Sequence, residues 1–519
     1  MEIKRETSYT KNLKCQDVYT ESSADYILPD YLGDVRKILF TEATLRPSGR
    51  FAGGDDVEFS GVVVYSVIYL DSEGELSSAE FTSDYDYSVA CNGESYRDSV
   101  SETRISGYSV RSMGPRKLSA RANLVGSVRV SEVGTLEIAG DVFEGDSSPE
   151  LNTKLVKIRK GYTSAVCERE YAEQLCQLDG AMADEVRVIY SSAENKLESV
   201  EMEDGGARVR GKLKLYAVIC RGDEPAYGLE KQLSIDELVP FDEVGENMKL
   251  IPEVNISSLR VNVNPNELGC EVVASAIAEI CVLAESNEPL ELTLDGYLKT
   301  CPTENSYEDF HFETFCDLLT FSHPHSAELN KAEGELMCAT DLVFVTATPK
   351  VERVECTPEG VRVIGEVRYS GIVSENNDDT TTYSGLKFSS PFDINVKHGC
   401  QNSEKTIVSA KVVAINAGAN IDENSINLCS TLDVIITLCQ EGCERVLVSS
   451  SKSEGEAYEK TGGVITVYYP NDGDTLFSVA KRFHTSGLKI ARDNDISDQV
   501  FAGENESGSL RGIKKLLIY

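Results

Sequence analysis

Few residues in this chain have the type and spacing that chemistry demands. His323-Pro324-His325 sets two imidazoles either side of a proline, but adjacent acidic ligands at helical spacing are missing. That segment is expected as an exposed, solvated loop or strand end. Cys439 and Cys443 are the only close late pair of thiols, with no histidine near them in sequence, so buried structural thiols are expected rather than a zinc site. No phosphate-binding GxxxxGK run occurs, nor a GxGxxG opening a helix, a GxSxG or an HExxH. Paired carboxylates arise by chance in so acidic a chain and carry no weight for glycoside cleavage, and tryptophan is absent. No catalytic residue, metal or cofactor is assigned, and an enzyme is not expected.

The most informative spacing lies in the last stretch, 464–519. Val464-Ile465-Thr466-Val467-Tyr468-Tyr469 is β-branched and aromatic, which suits a strand. Pro470 follows it, and Asp472-Gly473-Asp474 is turn chemistry. Asp474 or Thr475 can cap a helix, since a short side-chain oxygen accepts an orphan amide. Leu476, Val479, Ala480 and Phe483 then recur at i, i+3, i+4 and i+7, one apolar helix face. A second helix fits 488–493, and 514–519 closes as a strand. The order is β-α-α-β.

With its Gly-Asp-Thr-Leu-Phe-Ser-Val-Ala-Lys-Arg-Phe run, this stretch resembles the LysM module. The resemblance implies a loop for N-acetylglucosamine-containing glycan, such as peptidoglycan or cortex glycan, formed by Gly473, Asp474, Thr475, Leu476, Phe477, Asn494 and Ile496. The second loop of that site, 497–512, is long here and carries Glu504 and Glu506. A protein ligand would instead meet the bases Lys481 and Arg482, on the exposed side of the first helix, and Lys489 and Arg492 on the second.

Charge bears on the same choice. The 519 residues carry a net charge of −36, which argues against nucleic acid as a partner, because a polyanion repels another. Seven bases balance seven acids between Val464 and Tyr519, so the excess of acid lies upstream. The first residues have no apolar leader, and no run approaches the ~18 apolar residues of a membrane span, so neither a signal peptide nor a transmembrane segment is expected. Fifteen cysteines without repeated spacing fit a reducing compartment.

Upstream, one pattern occurs three times. A long strand run at 57–70 is matched by runs at 207–219 and 361–373, each with later strands following. Gly61, Gly211 and Gly365 sit inside these runs about 150 residues apart, each with an aromatic four or five residues on (Tyr65, Tyr216, Tyr369). Glycine inside a strand marks a bulge or close backbone approach, and a period of domain size marks tandem duplication. Between copies, Glu168 to Leu178 is expected as a short helix, and 449–463, rich in Ser, Glu, Lys and Gly, as a flexible tether.

The repeated unit, entered in its first copy by Ile27-Leu28-Pro29-Asp30-Tyr31, resembles the SPOCS domain, also known as DUF3794, of sporulation proteins in endospore-forming Firmicutes. The expected fold is mainly β and multidomain: three tandem sandwich- or barrel-like domains at 1–150, 151–300 and 301–448, a linker at 449–463 and a βααβ module at 464–519. The combined resemblance implies a non-catalytic spore-coat scaffold in the mother-cell cytoplasm, at the forespore surface and later in the coat. Its implied protein partner is the stage IV sporulation coat ATPase. The alternative is a cell-wall protein that grips peptidoglycan.

Overall fold

Alternating runs rich in Val, Ile, Thr and Tyr set one side chain inward and the next outward, the pattern of a half-buried strand. In this computed structural model such runs form nearly the whole chain. It describes residues 4–12, 16–139, 149–163, 166–222, 224–240, 248–331, 336–377, 380–398, 406–453, 457–458, 465–496, 510 and 512–519. The first repeat holds β1 (Lys4–Asn12), β2 (Gln16–Ile27), β3 (Val35–Gly53), β4 (Asp56–Asp71), β5 (Leu76–Ala90), β6 (Tyr96–Gly114) and β7 (Lys117–Ala139). Strands β3-β4-β5 make an antiparallel meander, while β7 is flanked by β6 on one side and by β1 and β2 end to end on the other.

The second repeat follows the same plan with β8 (Glu150–Thr163), β9 (Cys167–Asp179), β10 (Val186–Glu203), β11 (Gly206–Arg221), β12 (Tyr227–Pro240), β13 (Lys249–Asn266) and β14 (Gly269–Tyr297). The third has β15 (Thr303–Asn330), β16 (Asp341–Thr357), β17 (Gly360–Asn377), β18 (Thr380–Lys397), β19 (Thr406–Ile421) and β20 (Ser425–Lys452). Here the single strand β15 runs along all of β20 and replaces the end-to-end pair. Each repeat is a sandwich of two open sheets, not a barrel. In the first, Val63, Tyr65 and Val67 of β4 pack with Leu118, Ala122 and Leu124 of β7. Their counterparts are Leu213 and Leu215 with Ala274 and Ala276, then Val367 and Tyr369 with Leu428 and Leu432.

The three glycines stand 150 and 154 residues apart, and opposite each the neighbouring strand carries a bulge: between Pro47 and Gly49, Leu197 and Ser199, and Val351 and Arg353. At all three, a Cβ would strike a neighbour: the Tyr85 ring beside Gly61, the Lys196 carbonyl beside Gly211, and the Lys350 carbonyl and Phe392 ring beside Gly365. The equivalent of Tyr65 and Tyr369 is Leu215; Tyr216 points the other way and donates its hydroxyl to the Val343 carbonyl at 3.2 Å.

The repeats are knitted together rather than strung in a line. Phe40, Tyr190 and Phe344, each 21 residues before its glycine, meet as three rings: Tyr190 stacks on Phe344 at 4.5 Å between centroids, and Phe40 stands edge-on to both at 5.5 and 5.0 Å. Ile68, Val218 and Ile372 surround them, again one per repeat. A second shared core gathers Val156, Ile158, Leu290 and Leu292 of repeat two with Phe310 and Val446 of repeat three, and Tyr9 of repeat one packs edge-on to Phe310 at 5.1 Å.

Ion groups cross the same joints. Glu285 accepts Arg129 at 2.7 Å and both the Nε and Nη2 of Arg159 at 3.0 and 2.8 Å, while Arg159 reaches Glu313 at 3.4 Å. Burial alone would push the Glu285 carboxyl up, but Arg159 and Arg129 together outweigh it and hold it below the usual carboxylate range. Elsewhere Lys411 of repeat three sits 2.8 Å from Glu253 of repeat two and 3.9 Å from Glu102 of repeat one.

Four sequence expectations are corrected here. Glu168 to Leu178 is not a helix but most of β9, paired with β14. Cys167, Tyr171 and Leu175 are four apart, a spacing that fits one helix face and equally the alternate positions of a strand, and they pack on the second sandwich core. His325 is not solvated: it lies within β15, 8% exposed, with Nδ1 2.9 Å from the Tyr369 hydroxyl and Nε2 3.3 Å from the Pro391 carbonyl. Pro324 is tolerated beside it because β15 is an edge strand, paired only with β20. Ser449 to Lys452 complete β20 instead of starting a tether, and the Ser453 and Tyr458 amides bond to the Pro302 and Thr300 carbonyls; 454–456 and 459–463 lie outside the described residues. The late thiols, both expected to be buried, divide: Cys439 is buried, but Cys443 is exposed, 3.9 Å from His311 across the β15–β20 pair.

Candidate partner-binding site

The C-terminal head is built from β21 (Thr466–Tyr468), α1 (Leu476–Arg482), α2 (Gly487–Asp493) and β22 (Leu516–Ile518). Helix α1 starts where the sequence places a cap. The Thr475 hydroxyl accepts the Ser478 amide at 3.0 Å and the Ser478 hydroxyl in turn accepts the Thr475 amide at 2.9 Å, a reciprocal capping box. Asp474 instead locks the preceding turn, accepting the Asn471 amide at 2.8 Å and the Tyr468 hydroxyl at 2.6 Å. The Tyr468 and Asn471 donors hold its carboxyl below the ordinary value. Gly473 occupies the turn with φ 91°, the left-handed region that a side chain avoids. Leu476, Val479 and Ala480 are buried against Ile490, Ala491, Leu510, Leu516 and Ile518, and Phe483 stands edge-on to Tyr468 at 5.5 Å.

The residues expected to receive glycan are occupied within the head. Asn494 gives its amide hydrogens to the Ile490 and Leu517 carbonyls at 2.8 and 2.7 Å and accepts the Leu517 amide at 2.6 Å, so it ties α2 to β22. Ile496 is half-buried in the head core, Leu476 is buried, and Phe477 meets the body. Glu504 and Glu506 lie outside the described residues.

The four bases do not stand alike. Lys481, expected on open surface, bonds to Asp295 of repeat two at 2.6 Å. Arg482 is exposed and donates to the Tyr468 hydroxyl at 2.6 Å, with its guanidinium 5.5 Å above that ring. Lys489 reaches the Tyr519 carbonyl at 3.0 Å, and Arg492 is exposed at the end of α2.

Helix α1 therefore faces the body. Phe477 packs edge-on against Tyr297 at 5.3 Å, the Tyr297 hydroxyl donates to the Thr485 carbonyl at 2.6 Å, and Tyr458 stacks on His484. Tyr297 is 4% exposed, counted in the head's own core. Truncating it to alanine removes a buried aromatic, worth about 3–5 kcal/mol, and should speed protease nicking between 453 and 465 more than about ten-fold. Lys481→Ala breaks only a half-exposed pair, worth about 1 kcal/mol or less, and should leave the nicking rate nearly unchanged. Equal rates for Tyr297→Ala and the native chain would show that this contact does not hold the head.

One surface was missed by reading residues for charge. Strands β21 and β22 pair as Thr466↔Ile518, Val467↔Leu517 and Tyr468↔Leu516. Alternation turns Thr466, Tyr468, Leu516 and Ile518 toward the helices and leaves Ile465, Val467 and Tyr469 outside, 54%, 49% and 69% exposed. Leu517 and Tyr519 continue that outer face, and Leu488 of α2 is also exposed. The apolar residues at alternate positions in Ile465-Thr466-Val467-Tyr468-Tyr469 were the signal: a strand apolar on both faces needs cover on both. No protein-family model matches the chain, and no curated protein matches it.

Proposed function

We propose that the chain is a non-catalytic spore-coat morphogenetic scaffold, similar to the clostridial protein SipL, that helps encase the forespore during endospore formation. Its three SPOCS-like repeats are the platform, and its LysM-like head docks the stage IV sporulation coat ATPase. The observation that supports a protein ligand is the uncovered apolar face of the head's two-stranded sheet, Ile465, Val467 and Tyr469. Contiguous exposed apolar surface on a small module is the usual chemistry of a protein contact, with aromatic anchors carrying most of the affinity. Arg482 and Arg492 add charge that an acidic surface would meet, which raises association rate and selectivity. The glycan reading has less support, because the polar side chains of Asp474, Thr475 and Asn494 are already spent on internal hydrogen bonds.

The test is binding of the full chain to the purified ATPase and, separately, to purified peptidoglycan. Val467→Glu with Tyr469→Glu changes two outward side chains and should leave the head folded. It should weaken ATPase binding by about a hundred-fold or more, two anchors each worth on the order of 2 kcal/mol. Unchanged ATPase affinity would remove this face as the docking surface, and binding to peptidoglycan alone would overturn the scaffold reading in favour of the wall-binding one.

A further inference from the structure

Beside the Phe40–Tyr190–Phe344 cluster lies a cavity of about 470 Å³ to which all three repeats contribute. Its size is that of a small-molecule site. Tyr190, Tyr216 and Phe344 are among the residues that line it, and so is Glu42. The charged groups around it are unequal: Glu42, Glu80, Glu194 and Glu230 against Arg46 and Lys214. Lys214 is committed, 3.6 Å from Glu194 and 3.5 Å from Glu230.

Glu42 is the group left over. It accepts one hydrogen bond, from the Tyr190 hydroxyl at 2.8 Å, and has no ion pair among the described residues. An ionised carboxylate offers about four acceptor positions, and an isolated charge in an apolar setting is costly. Burial pushes the Glu42 carboxyl up against the opposing effect of the Tyr190 bond. A carboxyl so placed, with aromatic side chains beside it, has the elements that recognise an organic cation: a counter-ion once the ammonium draws it into its ionised form, and ring surface for the ligand's flanks.

We propose that this cavity binds a small aliphatic ammonium compound, whose charge meets Glu42 and whose carbon chain lies against Tyr190, Tyr216 and Phe344. A bare metal ion fits less well, since no three His, Cys, Asp or Glu side chains able to hold one converge among the described residues. None of the residues lining the cavity belongs to the head.

Titration calorimetry of the full chain with 1,4-diaminobutane, and with 1,4-butanediol as a neutral partner of the same length, tests this. Saturable binding of the diamine is expected, at least about ten-fold tighter than the diol. Glu42→Gln keeps the side-chain shape and a hydrogen-bond acceptor but removes the charge, and should bring the diamine down to the level of the diol. Equal affinity for the two compounds in the native chain, or no saturation up to about 10 mM, overturns the proposal, as does unchanged diamine binding in a folded Glu42→Gln chain. Should that variant fail to fold, the native chain's preference for diamine over diol decides.

Discussion

Replacing Phe40 with alanine should lower the stability of the whole three-repeat body by about 3–5 kcal/mol, the usual cost of removing a buried aromatic ring. Phe40 is 1% exposed and touches the rings of both other repeats, so the cavity opens in a core that no single sandwich can close by itself. Guanidinium denaturation followed by circular dichroism should show one transition moved to lower concentration. Tyr190→Ala and Phe344→Ala should act in the same direction. Combining any two should cost less than their sum, because the second truncation removes contacts already lost. A change below about 1 kcal/mol for Phe40→Ala, well under the buried-ring range, would mean that the sandwiches stand independently.

The second large effect belongs to Glu285. It is 6% exposed between Arg129 and Arg159, themselves 12% exposed, and joins repeat one to repeat two. Glu285→Gln leaves two arginines buried with their carboxylate gone, a loss of about 3–5 kcal/mol for a buried pair broken on one side. The pH dependence carries the same signature. Because the folded carboxyl titrates below its ordinary value, the stabilisation is fully present above the unfolded pKa of about 4.3 and is lost as pH falls through the folded value. Stability of the native chain should therefore drop below about pH 4 more steeply than that of Glu285→Gln. Parallel acid limbs for the two proteins would show that folding does not lower the Glu285 pKa.

Much of this architecture was legible because strand alternation and the glycine period are local signals. Gly61, Gly211 and Gly365 report a crowding that any residue with a Cβ would violate, so their spacing locates the repeats directly. The head was legible for the same reason: a turn, a cap and an i, i+3, i+4 face are all written within a few residues. What spacing did not convey was what lies opposite. Glu168 to Leu178 carries apolar residues four apart, and only the neighbouring strand β14 decides that they alternate across a sheet. His325 reads as solvated because no metal-ligand spacing surrounds the His-Pro-His run, yet Tyr369 and Pro391 wait for it across the sandwich. Lys481 reads as surface until Asp295, 186 residues upstream, is brought to it. The aromatic triad was hidden in another way: Phe40, Tyr190 and Phe344 differ in type, and only counting back from each glycine aligns them.

The second shared core has a consequence for how the chain is made. Tyr9 leaves the ribosome well before its neighbours, since Phe310 follows 301 residues later and Val446 after 437. At about 5–20 residues per second, the core stays incomplete for roughly 20–90 s of synthesis. Through that interval Tyr9 and Leu136 of the first repeat wait for partners from the later repeats, and on its other joint Phe40 waits for Tyr190 and then Phe344. Growing chains on the same messenger each carry these same faces at the same time. Repeat one of one chain can therefore meet repeat three of the chain ahead of it before meeting its own. Slow codons between the first and second repeats would lengthen that exposure, and chaperone capture of the nascent first repeat would shorten it.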